Sequence, residues 1–283
     1  MSQIQQSDIT ITKDGRVFIS FLWDDLYSLT CLEKETCDIR PVHWKIPEVL
    51  NFEDKTEYKK CSLCPKECGF DRVRYAHPSC GDSKLRVSNV GISFGDEPLV
   101  HGLGGSGCIM LSGCPLTCPS CHNPEKVSHG KETTTLEFLR ICQGLLENGA
   151  ENIQILSPTV HIPVLINNLK ILKEAKFPLP IIMKSSGYES VVQIKKFDGL
   201  VDFWLPDFKF GPCSEWGKKA GVSDYFEMAK ESLKVMVEQV GIENVLVRHV
   251  LAPLPERERE IILDFLNASG LSFSLSDTFV VLE

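Results

Sequence analysis

The sequence predicts a mixed α/β fold, in which a partial, open (β/α)6 barrel follows a small amino-terminal appendage and a cysteine-rich segment. Beyond residue 104, six short apolar runs alternate with segments of helical periodicity, a pattern typical of parallel βα units. The runs are continuously apolar, as expected for parallel strands that are buried on both faces. Six units are too few for a closed eight-stranded barrel, and a doubly wound open sheet is the alternative.

The barrel is predicted from a series of strands with helices between them. The predicted strands are 108–111, 153–156, 181–183, 201–205, 245–250 and 279–282. The first helix begins near Thr134, because Thr134 and Glu137 have the spacing of a capping box. The other helical patterns lie around 162–175, 189–196, 223–239 and 256–267.

Two segments precede the barrel, which takes residues 104–283. Residues 1–60 are predicted to form the appendage, with a β-hairpin in which apolar residues alternate with polar ones on both sides of Asp14-Gly15. Residues 61–103 hold the first group of cysteines among Gly and Pro residues, which predicts a loop-rich segment held by a metal.

The composition excludes several classes of protein. The chain has 283 residues and a net charge of −8, which argues against a nucleic-acid groove or an anionic membrane partner. No stretch reaches the ~18 uninterrupted apolar residues of a membrane span. The first residues are polar and mixed, so we expect no signal peptide and a cytoplasmic protein. Twelve cysteines are unusual in that compartment, where clustered cysteines more often bind metal than form disulfides.

Cys114, Cys118 and Cys121 form a C-x3-C-x2-C group directly after the first predicted barrel strand. Three thiolates can hold three corners of a [4Fe–4S] cluster, which leaves the fourth iron without a protein ligand. An open metal position is typical of a catalytic site. The alternative is a zinc knuckle that takes His122 as a fourth ligand.

A second group has the spacing C-x2-C-x3-C-x11-C and comprises Cys61, Cys64, Cys68 and Cys80. Four soft ligands can close a zinc site or hold an auxiliary [4Fe–4S] cluster, and ligand softness does not separate the two. Unligated or redox-active thiols are the third alternative. A metal here would supply folding energy to a segment with little core of its own.

The three-cysteine group and the residues after it, His122-Asn123-Pro124-Glu125, resemble the activating enzymes of pyruvate formate-lyase. The wider sequence resembles their relatives, the PflX-type group, all within the radical S-adenosylmethionine (SAM) superfamily. The similar stretches run through residues 61–250 and are 61–68, 102–107, 112–114, 149–153, 157–161, 186–189, 205–209, 223–225 and 247–249. The sequence departs from its relatives at three places. Ser120 stands where many relatives carry an aromatic residue, and the stretch 157–161 stands where they carry Gly-Gly-Glu. Lys184 stands where the activating enzymes carry an acidic residue.

The resemblance implies a radical SAM enzyme on a partial (β/α)6 barrel. In such enzymes SAM binds the open iron, and one electron from the reduced cluster cleaves it to methionine and a 5′-deoxyadenosyl radical that abstracts a hydrogen atom. The resemblance also implies two partners. One is a protein that becomes a glycyl radical enzyme, and the other is a reductant such as flavodoxin or ferredoxin. The alternatives are a radical SAM enzyme acting on a small molecule or another protein side chain in cofactor maturation, and a non-catalytic iron–sulfur or zinc module.

Active sites of β/α barrels lie at the carboxyl ends of the strands. The residues at those ends that we expect to bind SAM are Ser157, Thr159, Lys184, Ser186, Asp207 and His249. Ser186 has a hydroxyl for the ribose and Lys184 a cation for the carboxylate of SAM. Lys209 and Arg248 are strand-end residues of the same kind.

Overall fold

The computed structural model describes residues 9–11, 17–20, 44–49, 54–94, 98–119, 121, 123–124, 129–250 and 254–276. Within these ranges no helix is both long enough and apolar enough to cross a membrane.

The described strands come in chain order. They are β1 (Ile9–Ile11), β2 (Val17–Ser20), β3 (Arg86–Phe94), β4 (Ser106–Leu111), β5 (Lys131–Glu132), β6 (Asn152–Leu156), β7 (Ile181–Lys184), β8 (Phe203–Trp204), β9 (Leu246–Val250) and β10 (Ser272–Ser276). The main sheet has the order β1-β2-β3-β4-β6-β7-β8, with β5 paired to β3, and β9 pairs with β10.

The sheet changes from antiparallel to parallel at β4. Strands β1 to β4 pair antiparallel in sequence, whereas β4, β6, β7 and β8 pair parallel, as β9 and β10 do. The predicted α/β class with a parallel-strand sheet is therefore confirmed. The closure of these strands into a partial barrel remains a prediction.

The first two described helices precede the parallel strands, and the other six connect those strands. They are α1 (Thr56–Lys59), α2 (Pro98–His101), α3 (Thr135–Glu147), α4 (Ile162–Glu174), α5 (Val191–Ile194), α6 (Glu215–Lys219), α7 (Tyr225–Val240) and α8 (Glu256–Ser269), with 3-10 turns at Thr159–His161, Lys195–Phe197 and Ile242–Asn244. The predicted capping box of α3 is confirmed, since Glu137 N donates to Thr134 Oγ1 (3.2 Å) and Thr134 N donates to the Glu137 carboxylate (2.7 Å).

Two strands differ from the sequence prediction. β3 lies inside the segment 61–103 that was expected to be loop-rich, because its polar residues and Gly91 interrupt the apolar alternation that marks a strand. The sixth parallel strand is β10, whose sequence SFSLS has no continuous apolar run and leaves Leu275 half exposed. The predicted strand 279–282 lies outside the described residues.

The predicted hairpin is present as β1 and β2, with Ile9 opposite Ile19. Its turn at Asp14-Gly15 lies outside the described residues. β2 pairs with β3, so the hairpin extends the main sheet at the edge away from the parallel strands. The division into three segments remains a prediction.

The main core lies between the parallel strands and their helices. Fully buried side chains of α3 (Phe138, Leu139) pack with those of β6 (Ile153, Ile155) in one continuous apolar cluster. Burial on this scale stabilises the strands as a rigid frame. The loops that follow the strands are thereby fixed along one edge of the sheet.

Arg72 attaches the cysteine-rich segment to this frame. Its side chain is buried, and all its hydrogen bonds go to backbone carbonyls. Nη1 donates to Val160 O (2.9 Å) after β6, while the other nitrogens donate to Gly81 O (3.1 Å), Cys80 O (2.8 Å) and Asp82 O (2.6 Å). One guanidinium therefore joins two turns that are distant in sequence.

We predict that Arg72→Met lowers the free energy of unfolding by at least about 3 kcal/mol, because it removes a donor from four carbonyl oxygens, of which Gly81 O keeps another in His77 N. The matched control is Arg74→Met, whose side chain is 77% exposed and whose loss should cost less than about 0.5 kcal/mol. Urea unfolding of both variants under anaerobic conditions measures the difference. Equal midpoints would show that Arg72 does not hold the segment.

Candidate functional site

The candidate site is a cavity of about 440 Å³ at the carboxyl ends of the parallel strands. Three cysteines form part of its wall, and polar residues from the loops after β6, β7 and β8 face them. The sequence-predicted residues that line it are Cys114, Cys118, Cys121, Ser157, Lys184, Ser186 and Asp207, and Lys209 and Arg248 join them. The volume is typical of a small-molecule site.

The three cysteines lie on the Cys114 loop (residues 112–121), which follows β4. Gly113 permits the loop's entry, since it has φ +88° and a Cβ there would lie 2.8 Å from Cys80 O. Cys121 N donates to Cys118 O (3.2 Å), which turns the second half of the loop back on itself. Ser120, His122 and Glu125 lie outside the described residues.

The thiols of the Cys114 loop have raised pKa values, so their deprotonated forms need a positive charge nearby. Burial, together with the neighbouring thiolates of Cys118 and Cys121, raises the pKa of Cys114 to about 12. Burial also raises the pKa of Cys118. Three partly buried thiols on one cavity wall are a donor set that suits an iron–sulfur cluster. In the described part of the chain, however, no three His, Cys, Asp or Glu side chains are already arranged to hold a metal ion.

Cations surround one carboxylate beside these thiols. Asp207 Oδ1 accepts from Arg248 Nε (2.7 Å), and Asp207 Oδ2 accepts from Lys209 Nζ (2.5 Å). Burial acts to raise the pKa of Asp207, but the two cations hold it well below its usual range. Burial acts to lower the pKa of Lys209, but Asp207 and the Cys118 thiolate raise it. The group therefore carries a net positive charge next to the cysteines.

A buried carboxylate, Glu189, ties two loops of the site together. It accepts hydrogen bonds from Thr159 Oγ1 (2.9 Å) after β6 and from Ser185 Oγ (3.1 Å) and Ser186 Oγ (3.2 Å) after β7. Its side chain is 2% exposed, and burial raises its pKa against the effect of these hydroxyls. The three hydroxyls are therefore oriented by the protein itself.

The hydroxyl of Tyr225, at the start of α7, ties the next pair of loops. It lies 2.7 Å from Ser186 O and 3.0 Å from Asp207 O, and it accepts from Lys209 N (3.0 Å). Gly187 stands between these groups at φ +79°, where a Cβ would overlap the Asp207 carbonyl oxygen. The loops after β7 and β8 thus approach each other as closely as glycine permits.

Thr159 and His249, which were expected to bind SAM, do not line the cavity. The Thr159 hydroxyl is taken by Glu189, as described above. His249 is fully buried with Nδ1 2.7 Å from Phe208 O, because successive side chains of a strand point to opposite faces and Arg248 takes the cavity face. Ser157, by contrast, lines the cavity with φ +60°, a strained conformation for a residue other than glycine.

The second cysteine group lies outside the cavity but borders it. Cys61 and Cys64 are buried, Cys68 is exposed, and Pro78 and Ser79, next to Cys80, belong to the cavity wall. The thiol of Cys80 lies 3.7 Å from Cys114 O. The two cysteine groups, 34 residues apart at this contact, are therefore neighbours in space.

Sequence reasoning assigned no site role to Glu189, Tyr225 or Arg72, although Glu189 and Tyr225 lie in stretches 186–189 and 223–225, which carry the resemblance. Glu189 follows a polar run after β7, 184–187, and that run at a strand end was the available signal. Tyr225 and Arg72 act through burial and tertiary contacts, which leave no mark in local spacing.

Two known proteins resemble parts of the chain in sequence. No protein-family model matches the chain. The chain is 24% identical over 232 residues to a protein of Methanocaldococcus jannaschii named as uncharacterized, covering 76% of this chain and 64% of that protein. It is 30% identical over 121 residues to a Haemophilus influenzae protein named "Putative glycyl-radical enzyme activating enzyme", covering 39% of this chain and 43% of that protein. The chain thus spans less than two thirds of the length of either relative.

We predict that Gly187→Ala lowers the free energy of unfolding by about 3–5 kcal/mol, since it adds left-handed strain to a backbone overlap. Gly199→Ala is the matched control: φ is +69° there, with no atom within 4 Å of the added Cβ. The control should cost only about 1–2 kcal/mol. Similar losses in urea unfolding would contradict the close approach of the two loops.

Proposed function

We propose that the chain is a radical SAM enzyme in which Cys114, Cys118 and Cys121 hold a [4Fe–4S] cluster and the cavity binds SAM. The observation that carries the proposal is that the three thiols share one cavity with the cationic residues at the strand ends. When bound and reduced, the cluster would supply one electron that splits SAM into methionine and a 5′-deoxyadenosyl radical for hydrogen abstraction.

Charge supports the fit of SAM to this cavity. Lys184, Lys209 and Arg248 line it, whereas Asp207 is already neutralised by two of them. SAM is a cation overall, because its sulfonium and amino groups are both positively charged, and its carboxylate is its one anionic group. Cationic residues beside the thiols would bind that carboxylate and so orient SAM in the cavity. Ser157 and Ser186 line the same cavity and would bind its hydroxyl and amino groups.

The apolar part of the cavity supports radical chemistry. Met110, Leu116, Leu156 and Phe210 also line the cavity. Such a wall excludes water from the reacting atoms, which protects a reactive intermediate from side reactions. The loops are held by Glu189 and Tyr225, so the chain would bind SAM with little rearrangement of its backbone.

We infer from the name of the Haemophilus influenzae relative that the partner is a protein that becomes a glycyl radical enzyme. A low-potential reductant such as flavodoxin or ferredoxin would reduce the cluster, and the PflX-type group is the branch that we propose. Such chemistry suits the cytoplasm, where we expect the protein to act.

We also propose that β4 and β6 to β10 form the partial (β/α)6 barrel. Two parallel bridges, Trp204 with Val245 and Asp207 with Arg248, link the main sheet to β9 and support this closure. The barrel would then place the carboxyl ends of six strands around one cavity.

We predict that anaerobically reconstituted protein releases 5′-deoxyadenosine and methionine from SAM when dithionite is present. Replacing Cys114, Cys118 and Cys121 together by Ala should abolish the release, because the open iron is lost. Chromatography of the products measures both, with Cys213→Ser as the control for loss of an exposed thiol. Release at the wild-type rate by the triple variant would refute the proposal.

We predict that Lys184→Met weakens SAM binding about 10- to 150-fold while iron content is unchanged, because a charge-assisted contact is worth roughly 1.5–3 kcal/mol. Lys170→Met, on the exposed surface of α4, is the matched control and should change affinity less than about 2-fold. Titration of SAM into both reconstituted variants gives the comparison. Equal affinities would exclude Lys184 from the SAM site.

A further inference from the structure

We propose that Cys61, Cys64, Cys68 and Cys80 bind one thiophilic metal centre, a zinc ion or a [4Fe–4S] cluster, and that this centre holds the Cys114 loop in position. Both forms share the same tetrathiolate chemistry. The positioning role rests on the proposed function, because it assumes that the Cys114 loop holds a cluster. The existence of the metal centre is independent of it.

The backbone brings the first three cysteines together. Cys61 N donates to Phe70 O (3.2 Å) and Gly69 N donates to Cys61 O (2.9 Å), so residues 61–70 double back on themselves. Glu67 N donates to Cys64 O (3.0 Å) and makes the tight turn between Cys64 and Cys68. Short turns of this kind are typical of metal-binding knuckles, which point two or three thiols into one space.

Arg72 brings the fourth cysteine to the same place. Its backbone N donates to Tyr58 O (2.8 Å), and its Nη2 donates to Cys80 O (2.8 Å). One residue therefore binds both the chain just before Cys61 and the carbonyl oxygen of Cys80 itself.

The buried positive charge of Arg72 would be stabilised by an anion nearby. The guanidinium is 1% exposed, and in the described part of the chain it forms no ion pair with a carboxylate. Carbonyl oxygens satisfy its hydrogen bonds but carry no compensating charge, which makes an isolated buried cation costly. A metal bound by four thiolates keeps a net negative charge beside it and releases the thiol protons on binding.

The segment also lacks a core that would fold it without a metal. Tyr58, Cys61 and Leu63 form a buried cluster of their own, separate from the main core. Three side chains bury too little apolar surface to order such a segment, and small units of this kind are commonly stabilised by a metal. The described thiols are not yet arranged around a metal, but rotation about Cα–Cβ moves a Cys sulfur by about 3 Å.

Three contacts connect this segment to the Cys114 loop. Cys114 N donates to Ser79 O (3.0 Å), the Cys80 thiol lies 3.7 Å from Cys114 O, and Lys66 Nζ donates to Pro115 O (2.6 Å). Residues 66, 79 and 80 lie within or next to the four-cysteine group. The backbone at Cys114 is therefore positioned by the segment that the metal would order.

The test compares metal content in four anaerobically purified and reconstituted proteins. They are the wild type, the Cys114/Cys118/Cys121→Ala triple variant, Cys64→Ser, and Cys213→Ser as an exposed-thiol control. Zinc, iron and sulfide are measured per chain, and trypsin cleavage within residues 61–85 is timed.

We expect the triple variant to keep either about one zinc or about four irons per chain, which also distinguishes the two forms. Cys64→Ser should lose that metal, be cleaved at least tenfold faster within residues 61–85, and hold at least threefold less iron on the Cys114 group. Cys213→Ser should match the wild type.

A triple variant with neither metal would overturn the proposed centre, even if the wild type cleaves SAM. Full iron on the Cys114 group of Cys64→Ser, after loss of the second metal, would overturn the positioning role. If Cys64→Ser does not fold, the triple variant still decides whether the metal centre exists, because all four of its ligands remain. SAM cleavage is not among these measurements, so failure of the proposed function is recognised separately.

Discussion

The site depends on the 3-10 turn Thr159–His161, because each of its three residues is hydrogen-bonded to a different part of the chain. The Thr159 hydroxyl donates to Glu189 after β7, Val160 O accepts from Arg72 of the cysteine-rich segment, and His161 Nε2 lies 2.8 Å from Ser112 O on the Cys114 loop. Burial lowers the pKa of His161 to about 4, so the ring is neutral and its one N–H is available for that carbonyl. Three loops from distant parts of the sequence therefore share one rigid reference point.

The distribution of charge gives the site its chemical character. The chain carries a net charge of −8, yet among the described residues the cavity wall combines Lys184, Lys209 and Arg248 with a single carboxylate, Asp207. A local positive field in an acidic protein stabilises thiolate-bound clusters and orients the carboxylate end of a bound ligand. The same logic applies at Arg72, where a buried guanidinium lies beside the second group of thiols. Both cysteine groups thus have a buried or half-buried cation within reach.

Sequence predicted the parts of this structure that depend on local pattern. Strands β4, β6, β7, β8 and β9 were predicted because buried parallel strands are continuously apolar, and the three cavity cysteines were predicted from their spacing. β3 and β10 were missed because polar residues interrupt them. His249 was predicted to line the cavity, but it and Arg248 point to opposite faces of one strand. A shift of one residue exchanges the two faces, and the sequence pattern does not fix that register. Glu189, Tyr225 and Arg72 act through tertiary contacts, which spacing along the chain does not encode.

We propose that SAM binds directly to an iron that the three thiols of the Cys114 loop leave open. Electron–nuclear double resonance on the reduced protein, with SAM carrying ¹⁵N in its amino group, tests this most directly. We predict a hyperfine coupling between the cluster and the labelled nitrogen in the wild type, and its loss when Cys114, Cys118 and Cys121 are replaced together by Ala. A reduced cluster on the Cys114 loop that shows no coupling at saturating SAM would contradict the claim.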